Sequence, residues 1–157
     1  MTKKYPIFLC FFLYSIFIFS IKILAEQFKY EHATVKTKSG IEIPVEVADT
    51  FKKRSLGLGN RLELKKEWGM LFVFKNKKKH SFWMKDMRFA LDIIWLDNFR
   101  IIFIHRNVQP AKDGEKLMIL EPPESANFVL EVASGRASEL GLKKGDRLEY
   151  KFKNLKN

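Results

Sequence analysis

Polar and apolar positions alternate most regularly over residues 41–47, where Ile41, Ile43, Val45 and Val47 fall on one side and Glu42 and Glu46 on the other. A period of two with one wet face predicts a half-buried strand. Residues 32–37 precede it across the turn dipeptide Ser39-Gly40, so the two segments are expected to form a hairpin. Four short runs follow that are rich in Phe, Trp, Ile and Val, and they predict strands at about residues 70–74, 81–84, 91–96 and 100–105. The Lys75-Asn76-Lys77-Lys78-Lys79 stretch reads as a solvated hairpin loop between the first two, and Asp97-Asn98 as the next turn.

Helical signals are few. Asp49 or Thr50 can cap a short helix in which Phe51, Arg54, Ser55 and Leu58 share one side and which Gly57 and Gly59 stop. That arrangement points Arg54 toward the core. From Asn107 to Ala126 nothing is periodic, and Pro110, Asp113-Gly114 and Pro122-Pro123 interrupt the chain. A loop of that length inside a small domain is often a lid or binding loop. A buried strand at 128–132, a helical turn around 136–140 stopped by Gly141, and a last strand at 147–152 complete the reading. The residues themselves predict one mainly antiparallel β domain with two short helices over residues 26–157.

The first 25 residues are different material. Lys3 and Lys4 precede an apolar run over residues 7–21, and Ala25 offers a small residue before the polar stretch that begins at Glu26. The run is short for a membrane-spanning helix, which needs about 20 residues. It is expected to act as a secretory signal peptide, with an uncleaved N-terminal membrane anchor as the alternative, since Lys22 can snorkel. Export would place the domain in the periplasm or another extracytoplasmic space. Cys10, the single cysteine, lies in this segment, so a cleaved product would lack disulfides, thiol nucleophiles and Cys-ligated zinc.

Net charge is +11, of which Lys3, Lys4 and Lys22 supply three. A basic surface favours acidic partners such as anionic lipid headgroups, although lysines as scattered as Lys36, Lys65, Lys112 and Lys151 are also ordinary solvation. No helix-turn-helix, RNA-binding motif or zinc-finger spacing is present, and nucleic acid is not expected as a partner.

GMLFVF, FWMK and LDIIWLD in that order, preceded by RSLGLGNR and followed by VLEVASGRASELGLKKGD, resemble the bacterial and archaeal domain of unknown function 192 family. The resemblance spans nearly all of residues 45–148 and implies a compact antiparallel β-sandwich of jelly-roll type, with no settled biochemistry. The chain departs from the family pattern in two places. Gly57-Leu58-Gly59-Asn60-Arg61 stands where the family reads Gly-Leu-Met before its second Arg, and Asp86-Met87 stands where it reads Asn-Thr. GRASELGLKKGD also resembles the closing helix, turn and strand of PDZ domains, a likeness of local geometry alone.

Chemistry is sparse. Asp92 shares a strand face with Ile94 and Leu96, and a carboxylate there demands a partner. Arg54 and Arg61 are the expected ones, either as a structural salt bridge or, with Lys85, as a polar cluster for an anionic ligand. Trp83 alternates outward from Phe82 and Met84 and suits stacking at a cleft mouth or packing against the long loop. His80, Trp83, Met84 and Met87 gather an imidazole, an indole and two thioethers, soft ligands of the kind that select Cu(I). For catalysis there is no HExxH, GxSxG or P-loop. A triad from His105, an Asp and a Ser is left to geometry, and Glu121 and Glu124 read as loop contacts with solvent. The expectation is therefore a non-enzymatic exported binding domain, without cofactor, in which Arg54, Arg61, Trp83, Lys85 and Asp92 line a cleft. Its ligand would be a small anion or a peptide segment of an envelope protein. An envelope hydrolase and a Cu(I) carrier are the alternatives.

Overall fold

The computed structural model describes residues 29–112, 114 and 116–152, with the side chain of Phe152 excluded. The apolar segment on which the export reading rests lies outside the described residues. Among the described residues no helix is long and apolar enough to cross a membrane.

The predicted hairpin forms from β1 (Glu31–Lys36) and β2 (Glu42–Ala48), antiparallel, with Val35 opposite Ile43 and Ala33 opposite Val45. The first helix, α1 (Phe51–Leu56), starts where the Thr50 hydroxyl accepts from the Lys53 amide at 3.2 Å, and it ends at Gly57, whose φ of 52° costs a glycine little. Beyond it come β3 (Gly69–Lys78), β4 (Leu91–Asp97), β5 (Arg100–Val108) and β6 (Ala126–Ala133). A single-turn helix α2 (Arg136–Glu139) and β7 (Glu149–Phe152) finish the domain.

All seven strands lie in one sheet, in the order β5-β4-β6-β3-β2-β1-β7, with only the β2/β3 pair parallel. The sheet curls until its edges meet. Ile101 donates its amide to the Asp146 carbonyl, Gly145 to that of Ile101 and Leu148 to that of Phe99, each at 2.8 Å, so β5 is stitched to the segment leading into β7. The mainly β character and the two short helices are as the sequence predicts. The strands do not separate into the two stacked sheets of a jelly roll, because the curl lets one sheet enclose its own core, and no second layer is needed on that side.

That inner core comprises residues such as Val35, Ile43, Leu71, Ile94, Leu130 and Leu148, all at most 2% exposed. Alternation puts Met70, Phe72, Ile93, Trp95 and Val129 on the outer face, where they form a second cluster with Leu58, Met84 and Leu120. Both sides of the sheet are thus apolar in its middle, and the outer side is covered by irregular chain rather than by a second sheet.

Three sequence expectations change here. Residues 81–84 are not a strand, since Phe82 makes only an isolated bridge with Leu120. The physical reason is that β2 and β6 already hold both edges of β3, so the segment finds no free edge and lies across the outer face. Lys75, Lys77 and Lys78 are likewise the exposed end of β3 and not a hairpin loop. The long irregular stretch shortens to residues 109–125, anchored midway by reciprocal 2.9 Å hydrogen bonds between Phe82 and Leu120.

Candidate functional site

On the outer face, α1, the turn after it, the exposed end of β3 and residues 80–87 surround a cleft of about 430 Å³. Its buried surface is apolar, with Leu58, Phe72, Met84 and Leu91 each at most 5% exposed. Phe82 stands edge-on to Phe72 at 4.9 Å between centroids and to Trp95 at 5.1 Å, fixing one wall. At the mouth Phe51 is 81% and Trp83 49% exposed, an expensive placement for aromatic rings that nothing covers. Arg54, Lys75, Lys78 and Lys85 border the same opening, beside the exposed carboxylate of Asp49. The cleft is apolar within and cationic at its rim.

Arg54 is held rather than free. Its Nη1 donates to the carbonyls of Asp49 at 2.6 Å and Val73 at 2.9 Å, and its guanidinium lies 5.1 Å over the Phe74 ring. These contacts clamp α1 to β3 and leave other guanidinium N–H groups for the cleft. His80 stacks on the same Phe74 ring, 3.6 Å between centroids, with Nε2 donating to the Asn76 carbonyl at 3.1 Å. Burial, then the nearby Lys78 and Arg54, hold the imidazole below its usual pKa despite that hydrogen bond, so it is neutral at pH 7 with Nδ1 as an acceptor.

The residue that sequence reasoning missed is Glu131. It sits mid-strand in β6, directly opposite Met70 of β3 and Ile93 of β4, and is 6% exposed where it lines the cleft. Burial alone pushes its carboxyl up to about 8, so it is largely protonated at pH 7. A glutamate inside the apolar run VLEVA was a signal of the same kind as Asp92. Gly69 is required beside it, because a Cβ there would lie 2.7 Å from the Glu131 carbonyl oxygen.

Of the expected cluster, Arg54, Trp83 and Lys85 line the cleft, whereas Arg61 and Asp92 do not. Arg61 makes a two-pronged pair with Glu46, at 2.9 and 2.6 Å, beside the Tyr30 ring. Asp92 faces the inner core and is 1% exposed. Its Oδ1 accepts from the Asn107 amide at 2.8 Å and its Oδ2 from the Ala137 amide at 2.9 Å. The expected ion pair of Asp92 with Arg54 or Arg61 is therefore absent, for a geometric reason. Alternation sends Asp92 to one face of the sheet while Phe74 and Glu46, the neighbours of the two arginines, belong to the other.

His80, Met84 and Met87 all border the cleft. Both sulfurs pack in the outer apolar cluster, and Nε2 of His80 is engaged by Asn76. Among the described residues no group of three His, Cys, Asp or Glu is placed to hold a metal ion. His105 does not join a triad, since its Nδ1 accepts from the Trp95 indole at 2.9 Å. Glu121 accepts from Ser81 at 2.5 Å and Glu124 pairs with Lys144, both exposed. The long loop contributes no residue to the cleft lining.

Fold and cleft together define a small curled-sheet β domain with an amphipathic pocket on its outer face. Residues 33–150 match the domain of unknown function 192 family, described as Uncharacterized ACR, COG1430, and the chain belongs to that family. A UPF0127 protein from Thermococcus gammatolerans is 33% identical over 108 residues, which cover 68% of this chain and 65% of the relative; the chain thus spans somewhat under two thirds of that relative's length. A proposed transcription regulator from Sinorhizobium meliloti 1021 superposes with a TM-score of 0.68 at 31% identity, over 78% of this chain and 95% of that one. A protein of unknown function from Novosphingobium aromaticivorans gives 0.65 at 32% identity, over 75% and 83%.

Proposed function

We propose that this protein is an exported, non-enzymatic binding domain whose outer-face cleft takes a small ligand with an apolar body and an anionic end. The observation that carries this reading is the pairing of an apolar interior with a rim of four cations and exposed Trp83 and Phe51. Apolar groups give such a site affinity, and a few placed polar groups orient the ligand. The basic N-terminal sequence and apolar run support export, and an anionic membrane surface is a compatible source of ligands. A peptide segment of an envelope protein would use the same features, with an apolar side chain inside and an acidic one at the rim.

The test is native mass spectrometry of the chain purified from an exporting host without added ligand, beside Trp83→Ala and Lys85→Glu variants. The expected result is a retained mass in the wild type that both variants lose. A bare polypeptide together with no binding of the anionic apolar dye anilinonaphthalene sulfonate would count against the reading. The copper alternative rests on His80, Met84 and Met87 bordering the cleft. Stoichiometric Cu(I) binding lost in Met84→Leu would favour it instead.

A further inference from the structure

Glu131 is poorly explained as a packing residue. It is nine-tenths buried, its strand neighbours Met70 and Ile93 are apolar, and among the described residues nothing hydrogen-bonds its carboxyl. A carboxyl in apolar surroundings costs stability that an apolar side chain of similar size would not. Glu131 lines the cleft, and a ligand group there can supply the partner that the protein does not.

We propose that Glu131 is the recognition residue of the cleft, donating its carboxyl O–H to an uncharged acceptor, an amide or ester carbonyl, in the middle of a ligand whose anionic end meets the rim. The inference rests on the cleft being a ligand site and adds the ligand's chemical class: an N-acyl or O-acyl amphipathic acid. A cationic ligand would also satisfy a buried carboxyl, by ionising it. The charges at the opening argue against that, since Arg54, Lys75, Lys78 and Lys85 outnumber Asp49 and repel a cation on approach. The His80 imidazole, also in the lining, offers an acceptor, not a competing donor, because its N–H is spent on Asn76.

The protonation of Glu131 agrees with this role, since a carboxyl near 8 keeps its proton at neutral pH. Donation then fails once the group ionises. Raising the pH from 6.5 to 9 ionises Glu131, and because His80, Asp49, Arg54, Lys75, Lys78 and Lys85 are common to the wild type and Glu131→Gln, the difference between those two in pH response is specific to this residue.

The experiment is calorimetric titration of the full chain with N-dodecanoylglycine, which carries an alkyl body, an amide carbonyl and a carboxylate, against dodecylammonium as the cationic probe. Expected for the wild type is binding of N-dodecanoylglycine at pH 6.5 that weakens about tenfold at pH 9. Glu131→Gln, which keeps a donor, should bind equally at both pH values, and Glu131→Leu should bind at least about tenfold more weakly than wild type at pH 6.5. Circular dichroism and thermal melting confirm that both variants are folded. Undiminished binding by Glu131→Leu with no pH dependence, but weakened by Lys85→Glu, overturns the role of Glu131 and leaves the cleft reading intact. No binding of either probe overturns both. Preferential binding of dodecylammonium with proton release overturns the donor role in favour of an ionised counter-charge.

Discussion

The Asp92 carboxylate reaches across 45 positions to cap α2, its Oδ2 accepting from the Ala137 amide while its Oδ1 accepts from Asn107. The helix needs this help because its own N-cap residue is Gly135, which has no side chain to offer. Asn107 needs it too. The β4/β5 register slips between Leu91 and Ile93, and Asn107 takes a positive φ of 52° in the corresponding part of β5, turning its amide inward.

Replacing Asp92 by Ala therefore removes both acceptors from a site with almost no access to water. Charge-assisted hydrogen bonds and the unmet amides set a loss of about 2 to 4 kcal/mol. Urea unfolding is the check, and Asp92→Asn, which keeps one acceptor oxygen, should recover part of the loss. A cost below about 0.5 kcal/mol for Asp92→Ala would mean that water or a shifted backbone supplies the amides.

Arg61 and Glu46 form the domain's two-pronged ion pair, yet both side chains keep a fifth to a quarter or so of their exposure. Solvent screening limits such a pair even when its geometry is good. A double-mutant cycle through Arg61→Ala and Glu46→Ala should give a coupling of about 0.5 to 1 kcal/mol. The hydrogen bonds that Arg61 donates to the Glu46 carboxylate raise the Arg61 pKa, which leaves the guanidinium charged at any usable pH, so the coupling should persist from pH 6 to 9 and shrink with added salt.

The sequence made some of this legible and hid the rest for physical reasons. The hairpin, the Thr50-capped helix, the Asn98 turn and the burial of Asp92 beside Ile94 follow from periodicities of two and from turn chemistry, which are local. Which strand takes which edge is not local. β6 claims the edge of β3, and residues 81–84, as strand-like as any in composition, become a cover over the outer face. The partner of Asp92 was misread for the same reason. A charge on an apolar strand face announces that a partner exists, but here the partners are backbone amides exposed by a bulge and a helix start, and those carry no side-chain signature. Glu131 was readable by the rule applied to Asp92; a single acidic residue in VLEVA is easily absorbed into a strand assignment.

Gly69 tests how tightly β3 and β6 meet beside the cleft. An added Cβ would fall 2.7 Å from the Glu131 carbonyl oxygen and 3.1 Å from a Leu130 methyl. Backbone cannot give way cheaply, so Gly69→Ala should destabilise the domain by about 1 to 3 kcal/mol. Hydrogen exchange should localise the loosening to the β3/β6 ladder. Gly69 is not among the glycines at positive φ, so the loss reads this contact and not backbone strain.

The buried carboxyl should also shape the pH dependence of stability. Glu131 is held near 8 when folded against about 4.5 for an exposed glutamate, so between those values the unfolded chain has released a proton that the folded one retains. Stability due to this group is then fully present below about pH 4.5 and falls as pH rises toward 8. His80 and His105 act in the opposite sense, since burial lowers both, and their contribution is lost as pH falls through 6.5. The two histidines are common to the wild type and Glu131→Gln, and the tyrosines Tyr30 and Tyr150 ionise only well beyond 8. The difference between the two stability curves therefore isolates Glu131, and from 6.5 to 8 the wild type should decline relative to the variant by up to about 2 kcal/mol. Denaturant midpoints at half-unit steps of pH measure both curves, and a wild-type curve parallel to that of the variant would mean that Glu131 is already ionised in the folded protein.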